Sequence, residues 1–132
     1  MTGPVELLTT DDLIELARRL LGDPPPIRDA GLLSSAAARP GATAFGADAY
    51  ADLWEKAAAL LHSIVTNHPL VDGNERLGWL ATAVFLLING VPADGAGDDE
   101  VYDLVIAVAE GRPGATEVGE IAVRIEGIVP HR

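Results

Sequence analysis

A chain of 132 residues with 48% hydrophobic side chains can bury one core and is too apolar to stay disordered, so it reads as a single domain over 1–132. A formal charge of −11 argues against a DNA- or RNA-binding surface, which needs clustered Lys and Arg against phosphates. The absence of cysteine excludes disulfides and thiolate metal sites and fits a cytoplasmic protein.

The N-terminal stretch Met1 to Glu6 lacks the basic-then-apolar pattern of a secretory leader. Thr9-Thr10-Asp11-Asp12 opens the first helix. Thr9 and Asp12 have capping-box spacing, and acids in a first turn suit the helix dipole. Leu13, Ile14, Ala17, Leu20 and Leu21 form its apolar stripe. Gly22 and the run Pro24-Pro25-Pro26 stop it and form a stiff connector. Asp29 caps a short second helix, Ala30 to Ala38, which Pro40 ends. The small residues of Gly41 to Gly46 predict a surface turn or a small β-hairpin.

Asp48 is expected to cap a third helix running to about Val65. Leu53, Ala57, Leu60 and Ile64 share one face, and Tyr50, Trp54, Leu61 and Val65 an adjacent one, so this helix belongs at the centre. His62 reads as a satisfied helix histidine. A fourth helix runs from Asn74 or Glu75 to Ile88, with Asn89-Gly90 as its stop. Its uncharged run, Leu77 to Val91, is too short for a comfortable membrane span and reads as buried core. Asp98 or Asp99 caps a fifth helix carrying Val101, Leu104, Val105 and Val108. The last helix starts near Thr116 and carries Val118, Ile121, Ala122 and Ile125. The pattern is all-α, five to seven helices.

Between the third and fourth helices lies His68-Pro69-Leu70-Val71-Asp72-Gly73-Asn74-Glu75-Arg76. A loop that ends at a helix start leaves backbone N–H groups unpaired in the positive field of the dipole, a natural place for phosphate. Gly73 allows the left-handed turn that brings backbone close to an anion. Asn74 adds a neutral donor and acceptor, and Arg76 a permanent fork-shaped cation. Between Lys56 and Arg112, Arg76 is the only basic residue. Asp72 repels phosphate but can hold Mg²⁺, which binds phosphate in turn. Histidine is the side chain whose unperturbed pKa lies near neutrality, so His68 can take a proton from a hydroxyl nucleophile. A base, a metal carboxylate and an anion cradle make the inventory of phosphoryl or nucleotidyl transfer.

The stretch resembles the signature of the Fic/Doc family, His-x-Phe-x-(Asp/Glu/Asn)-(Gly/Ala)-Asn-(Gly/Lys)-Arg, at His68, Asp72, Gly73, Asn74 and Arg76. Arg28 to Leu33 with Arg39-Pro40, and the helix from Tyr50 to Asn67, look like the death-on-curing branch. Three positions depart from the pattern. Trp79 stands where the AMP-transferring branch carries a second arginine, which sides with the death-on-curing branch. Leu70 replaces the aromatic. Glu75 stands where that branch has lysine. Two like charges within about 5 Å cost on the order of 1–3 kcal/mol at intermediate dielectric. Glu75 therefore marks a weakened enzyme, an attenuating substitution, or a side chain turned to solvent.

The resemblance implies a Fic-like helical fold and the toxin of a toxin–antitoxin pair. It implies a cytoplasmic kinase that moves the ATP phosphate to a threonine of elongation factor Tu and stops translation. His68 is then the base, Asp72 holds Mg²⁺, and Gly73, Asn74, position 75 and Arg76 meet the nucleotide phosphates. Residues 39–47 resemble the family's flap, which receives a target segment by strand addition; the plainer reading is an interhelical loop. The implied partner is a Phd-like antitoxin whose disordered segment folds as a helix into a groove. AMP transfer to a protein hydroxyl, and a silent module that only binds antitoxin or target, are the alternatives.

Overall fold

The structure is a computed structural model that describes residues 4–131. Residues 1–3, part of the stretch read for a leader, lie outside the described residues. Among the described residues six α-helices carry the fold: α1 (Thr10–Leu21), α2 (Ala30–Ala38), α3 (Leu53–Asn67), α4 (Asn74–Ile88), α5 (Asp98–Ala109) and α6 (Val118–Ile128). A 3₁₀ turn, Arg39–Gly41, follows α2. It leads into an antiparallel hairpin of β1 (Thr43–Ala44) and β2 (Ala47–Asp48), with Thr43 opposite Asp48 and Ala44 opposite Ala47. This is the all-α, Fic-like architecture with a small hairpin.

Local chemistry explains most boundaries. Thr9 accepts from Asp12 N–H at 3.1 Å and Asp12 accepts from Thr9 N–H at 2.9 Å, the reciprocal box that the spacing implies. Asp29 accepts from Leu32 N–H at 3.2 Å. Two starts differ from expectation. Asp52, not Asp48, caps α3: it accepts from Glu55 N–H at 2.8 Å, while Glu55 Oε1 accepts from Ala51 N–H at 2.8 Å. Asp52 has a carboxylate three residues on to complete the box, and Asp48 has Ala51 there. In α5, Gly97 is the cap, so Asp98 and Asp99 lie inside the first turn.

The centre is α3. Ala57, Ala58, Ala59, Leu60, Leu61, Ile64 and Val65 are buried around its whole girth, and α4, α6, α2 and α5 all pack against it. It meets α4 tightly at Gly78, where an added Cβ would lie 2.6 Å from Val65 Cγ2 and 3.2 Å from Leu61 Cδ1. Only glycine lets these two backbones come so near. Phe85 and Leu77 of α4, Leu13 of α1, Leu104 of α5 and Ile121 of α6 close one continuous core. Among the described residues no helix is long and apolar enough to cross a membrane. The loop between α3 and α4 thus hangs between the two most tightly packed helices.

Candidate active site

His68 closes α3 in the left-handed conformation, φ 54° and ψ 61°. A non-glycine residue there is strained by about 1–3 kcal/mol and persists only where its surroundings hold it. Arg28 does the holding. Its Nε donates to the His68 carbonyl at 2.7 Å and its Nη2 to the Asn67 carbonyl at 2.9 Å. These are carbonyls that a helix end leaves without partners. The chain leaving the proline connector then runs antiparallel to the loop. Arg28 and Asp29 N–H donate to the Pro69 carbonyl at 2.8 and 3.0 Å, and Val71 N–H to the Pro26 carbonyl at 2.8 Å. Arg28 is a positioning residue that the motif does not contain; the only signal for it was its place in a segment resembling the family.

Asn74 locks the loop from the other side and is 5% exposed. Its Oδ1 accepts from Leu70 N–H at 2.9 Å, and its Nδ2 donates to the Leu70 carbonyl at 3.0 Å. The same Nδ2 lies 3.4 Å from His68 Nδ1, a long contact that orients the ring loosely. The Asn74 amide, expected among the phosphate ligands, is thus turned inward to hold the loop. Gly73 makes the turn with φ 85°. A Cβ there would meet Leu21 Cδ1 and Cδ2 at 2.8 Å, so both conformation and space demand glycine.

The first backbone bond of α4 runs from Leu77 N–H to the Gly73 carbonyl, 2.9 Å. No side chain caps this helix. The N–H groups of Asn74, Glu75 and Arg76 are therefore the orphans of the first turn. Around them stand the exposed side chains of His68, Asp72 and Arg76. Asp72 Oδ1 accepts from Gly73 N–H at 2.9 Å. Arg76 makes no ion pair or side-chain hydrogen bond among the described residues. Those residues hold no cluster of three or more His, Asp or Glu.

Glu75 is half-buried and does not pair with Arg76. The two line the mouth of an apolar groove of about 550 Å³ between α1, α4 and α5, whose walls include Leu20, Trp79, Ala83, Val101 and Tyr102. Sequence reasoning missed this groove, because its walls come from three separate helices. His62 sits away from the motif: its Nδ1 accepts from Arg39 Nη1 at 2.8 Å. Burial, then the Arg39 guanidinium, hold its pKa below the ordinary value, against a smaller opposing pull from Glu117. Residues 39–47, expected as a flap, hold the 3₁₀ turn and most of the hairpin.

The model of the Fic/DOC family matches residues 7–86, from before α1 to near the end of α4. The chain is 48% identical over 105 residues to a protein of Mycolicibacterium smegmatis named Toxin Doc, covering 79% of this chain and 81% of that one.

Proposed function

The chain belongs to the Fic/DOC family, and from that premise we propose that it is the toxin of a toxin–antitoxin pair. Its reaction is transfer of the ATP γ-phosphate to a threonine of elongation factor Tu, which arrests translation. The observation that carries this reading is the uncapped start of α4, with its orphan N–H groups at left-handed Gly73 between exposed His68, Asp72 and Arg76.

In that reaction the threonine oxygen attacks the γ-phosphorus as its proton passes to the His68 imidazole. The bond to the β-phosphate bridging oxygen breaks, and ADP leaves with that electron pair. The N–H groups of Asn74, Glu75 and Arg76, with the Arg76 guanidinium, meet the charge that spreads over the phosphoryl oxygens. The Asn74 side chain contributes by holding the loop, and its backbone N–H by facing the anion. Mg²⁺ fits the donor set. It is commonly held by one or two carboxylates plus phosphates, and exposed Asp72 has an oxygen left over from its bond to Gly73. When bound, the ion supplies charge neutralisation between the phosphates. We place the antitoxin as a helix in the apolar groove between α1, α4 and α5, where its end reaches Glu75 and Arg76 and covers the cradle.

The test is incubation of the purified chain with ATP, Mg²⁺ and elongation factor Tu, followed by mass spectrometry. Phosphate on a threonine is the expected product, reduced by roughly 100-fold or more in His68→Ala. A product carrying AMP would establish the nucleotidyl-transfer alternative. No product from either protein would leave the antitoxin-binding module.

A further inference from the structure

His68 stands against two local preferences. It is a non-glycine residue in the left-handed region, and it precedes Pro69, where extended backbone is favoured. Pro69 also removes the usual remedy. After a left-handed residue the next N–H commonly returns to a carbonyl of the last helical turn, and proline has no N–H to return. The end of α3 lacks that closure, so its conformation has to be imposed by another segment.

The donors come from Arg28. Its Nε reaches the His68 carbonyl at 2.7 Å and its Nη2 the Asn67 carbonyl at 2.9 Å, so one planar fork spans two successive carbonyls. The fork is delivered in register. A bridge between Ile27 and Leu70 pairs the connector with the loop, and the N–H groups of Arg28 and Asp29 share the Pro69 carbonyl. Arg28 is exposed and is not part of the core, so removing its side chain leaves no cavity there. On the other side of the loop, Gly73 and Asn74 are held by bonds in which Arg28 takes no part. The cradle at the start of α4 and the backbone of the base thus have separate supports.

We propose that Arg28 acts on turnover, and does so only through the backbone conformation of His68. With the fork in place His68 stays left-handed and its ring stays beside Asn74, at the edge of the anion cradle. Without the fork the residue relaxes towards the extended backbone favoured before proline, and the ring leaves that position. This rests on the kinase reading above and adds the residue that sets the base from outside the cradle.

The test joins nuclear magnetic resonance to steady-state phosphate transfer from ATP to purified elongation factor Tu, both with the full chain. The Cα and Cβ chemical shifts of His68 read its backbone without any acceptor. They should report the left-handed conformation in the unchanged chain and an extended one in Arg28→Ala. The kcat of Arg28→Ala should fall on the order of 10- to 100-fold, the scale of a base displaced by about 1 Å, with both KM values within roughly twofold. Arg28→Lys keeps the charge but not the fork, and its kcat should lie between the two. In the His68→Ala background, Arg28→Ala should change kcat by less than about twofold, because the two residues act as a unit. Unmoved His68 shifts in Arg28→Ala overturn the inference, whatever the chain transfers. An unchanged kcat also overturns it, as does a KM for ATP that rises in step with the loss of kcat, or an equal loss of kcat in the His68→Ala background. If the shifts move and the unchanged chain transfers nothing to elongation factor Tu, the kinase reading fails and takes the effect on turnover with it.

Discussion

Position 75 puts a carboxylate beside orphan N–H groups that attract phosphate. Glu75 sits half-buried in the groove wall with Arg76 next to it in sequence, and adjacent helix positions do not face one another. Glu75 makes no ion pair among the described residues. Repulsion on the order of 1–3 kcal/mol converts to roughly 5- to 150-fold in affinity. Glu75→Lys should tighten ATP binding within that range, measured by calorimetry in Mg²⁺. An unchanged affinity would show that the groove wall keeps the carboxylate away from the phosphates. Asn74 carries a different lesson at this scale. Its residue type was legible as a site residue, and its orientation was not. Its amide serves the Leu70 backbone because a buried loop must satisfy its own N–H and C=O groups.

At the scale of elements, α3 does most of the positioning. It ends at His68, takes the feet of the hairpin through Lys56 and His62, and receives α4 at Gly78. The Arg39–His62 contact needs a neutral imidazole, because the guanidinium can only donate. Burial, then Arg39, lower the His62 pKa from 6.5, so the unfolded chain takes up this proton more readily than the folded one. The contribution to stability is complete above the ordinary histidine value. It is lost as pH falls through that value towards the lower folded one. Thermal unfolding from about pH 8 to about pH 5 should show a falling Tm, with a weaker slope in His62→Gln. Equal slopes in the two proteins would assign the acid sensitivity to other groups.

At the scale of the whole molecule, the groove between α1, α4 and α5 joins the cradle to the proposed antitoxin site. Ala83 lies in its wall, seven residues and roughly 10 Å along α4 from Arg76. Ala83→Arg should fill the groove and weaken binding of a Phd-like antitoxin by roughly tenfold or more, while ATP-dependent transfer persists. Titration calorimetry with the purified antitoxin measures it. Unchanged binding would move the antitoxin to another face.

The sequence by itself determined what depends on near neighbours along the chain. Thr9 with Asp12, and Asp29 with Leu32, are caps read over three residues, and the helical stripes repeat within a few turns. His68, Asp72, Gly73 and Arg76 stand out for the same reason, since one short loop supplies them all. Only the tertiary structure decided what distant segments do for that loop. Arg28 reaches carbonyls 39 and 40 residues away, and Arg39 reaches His62 and Ser63 across 23 and 24. Asp48 looked like a cap until Lys56 and the hairpin gave it another partner. Local hydrogen bonds and periodicity are written in short windows of residues. Which cation meets which carbonyl depends on how helices pack, and no short window records that.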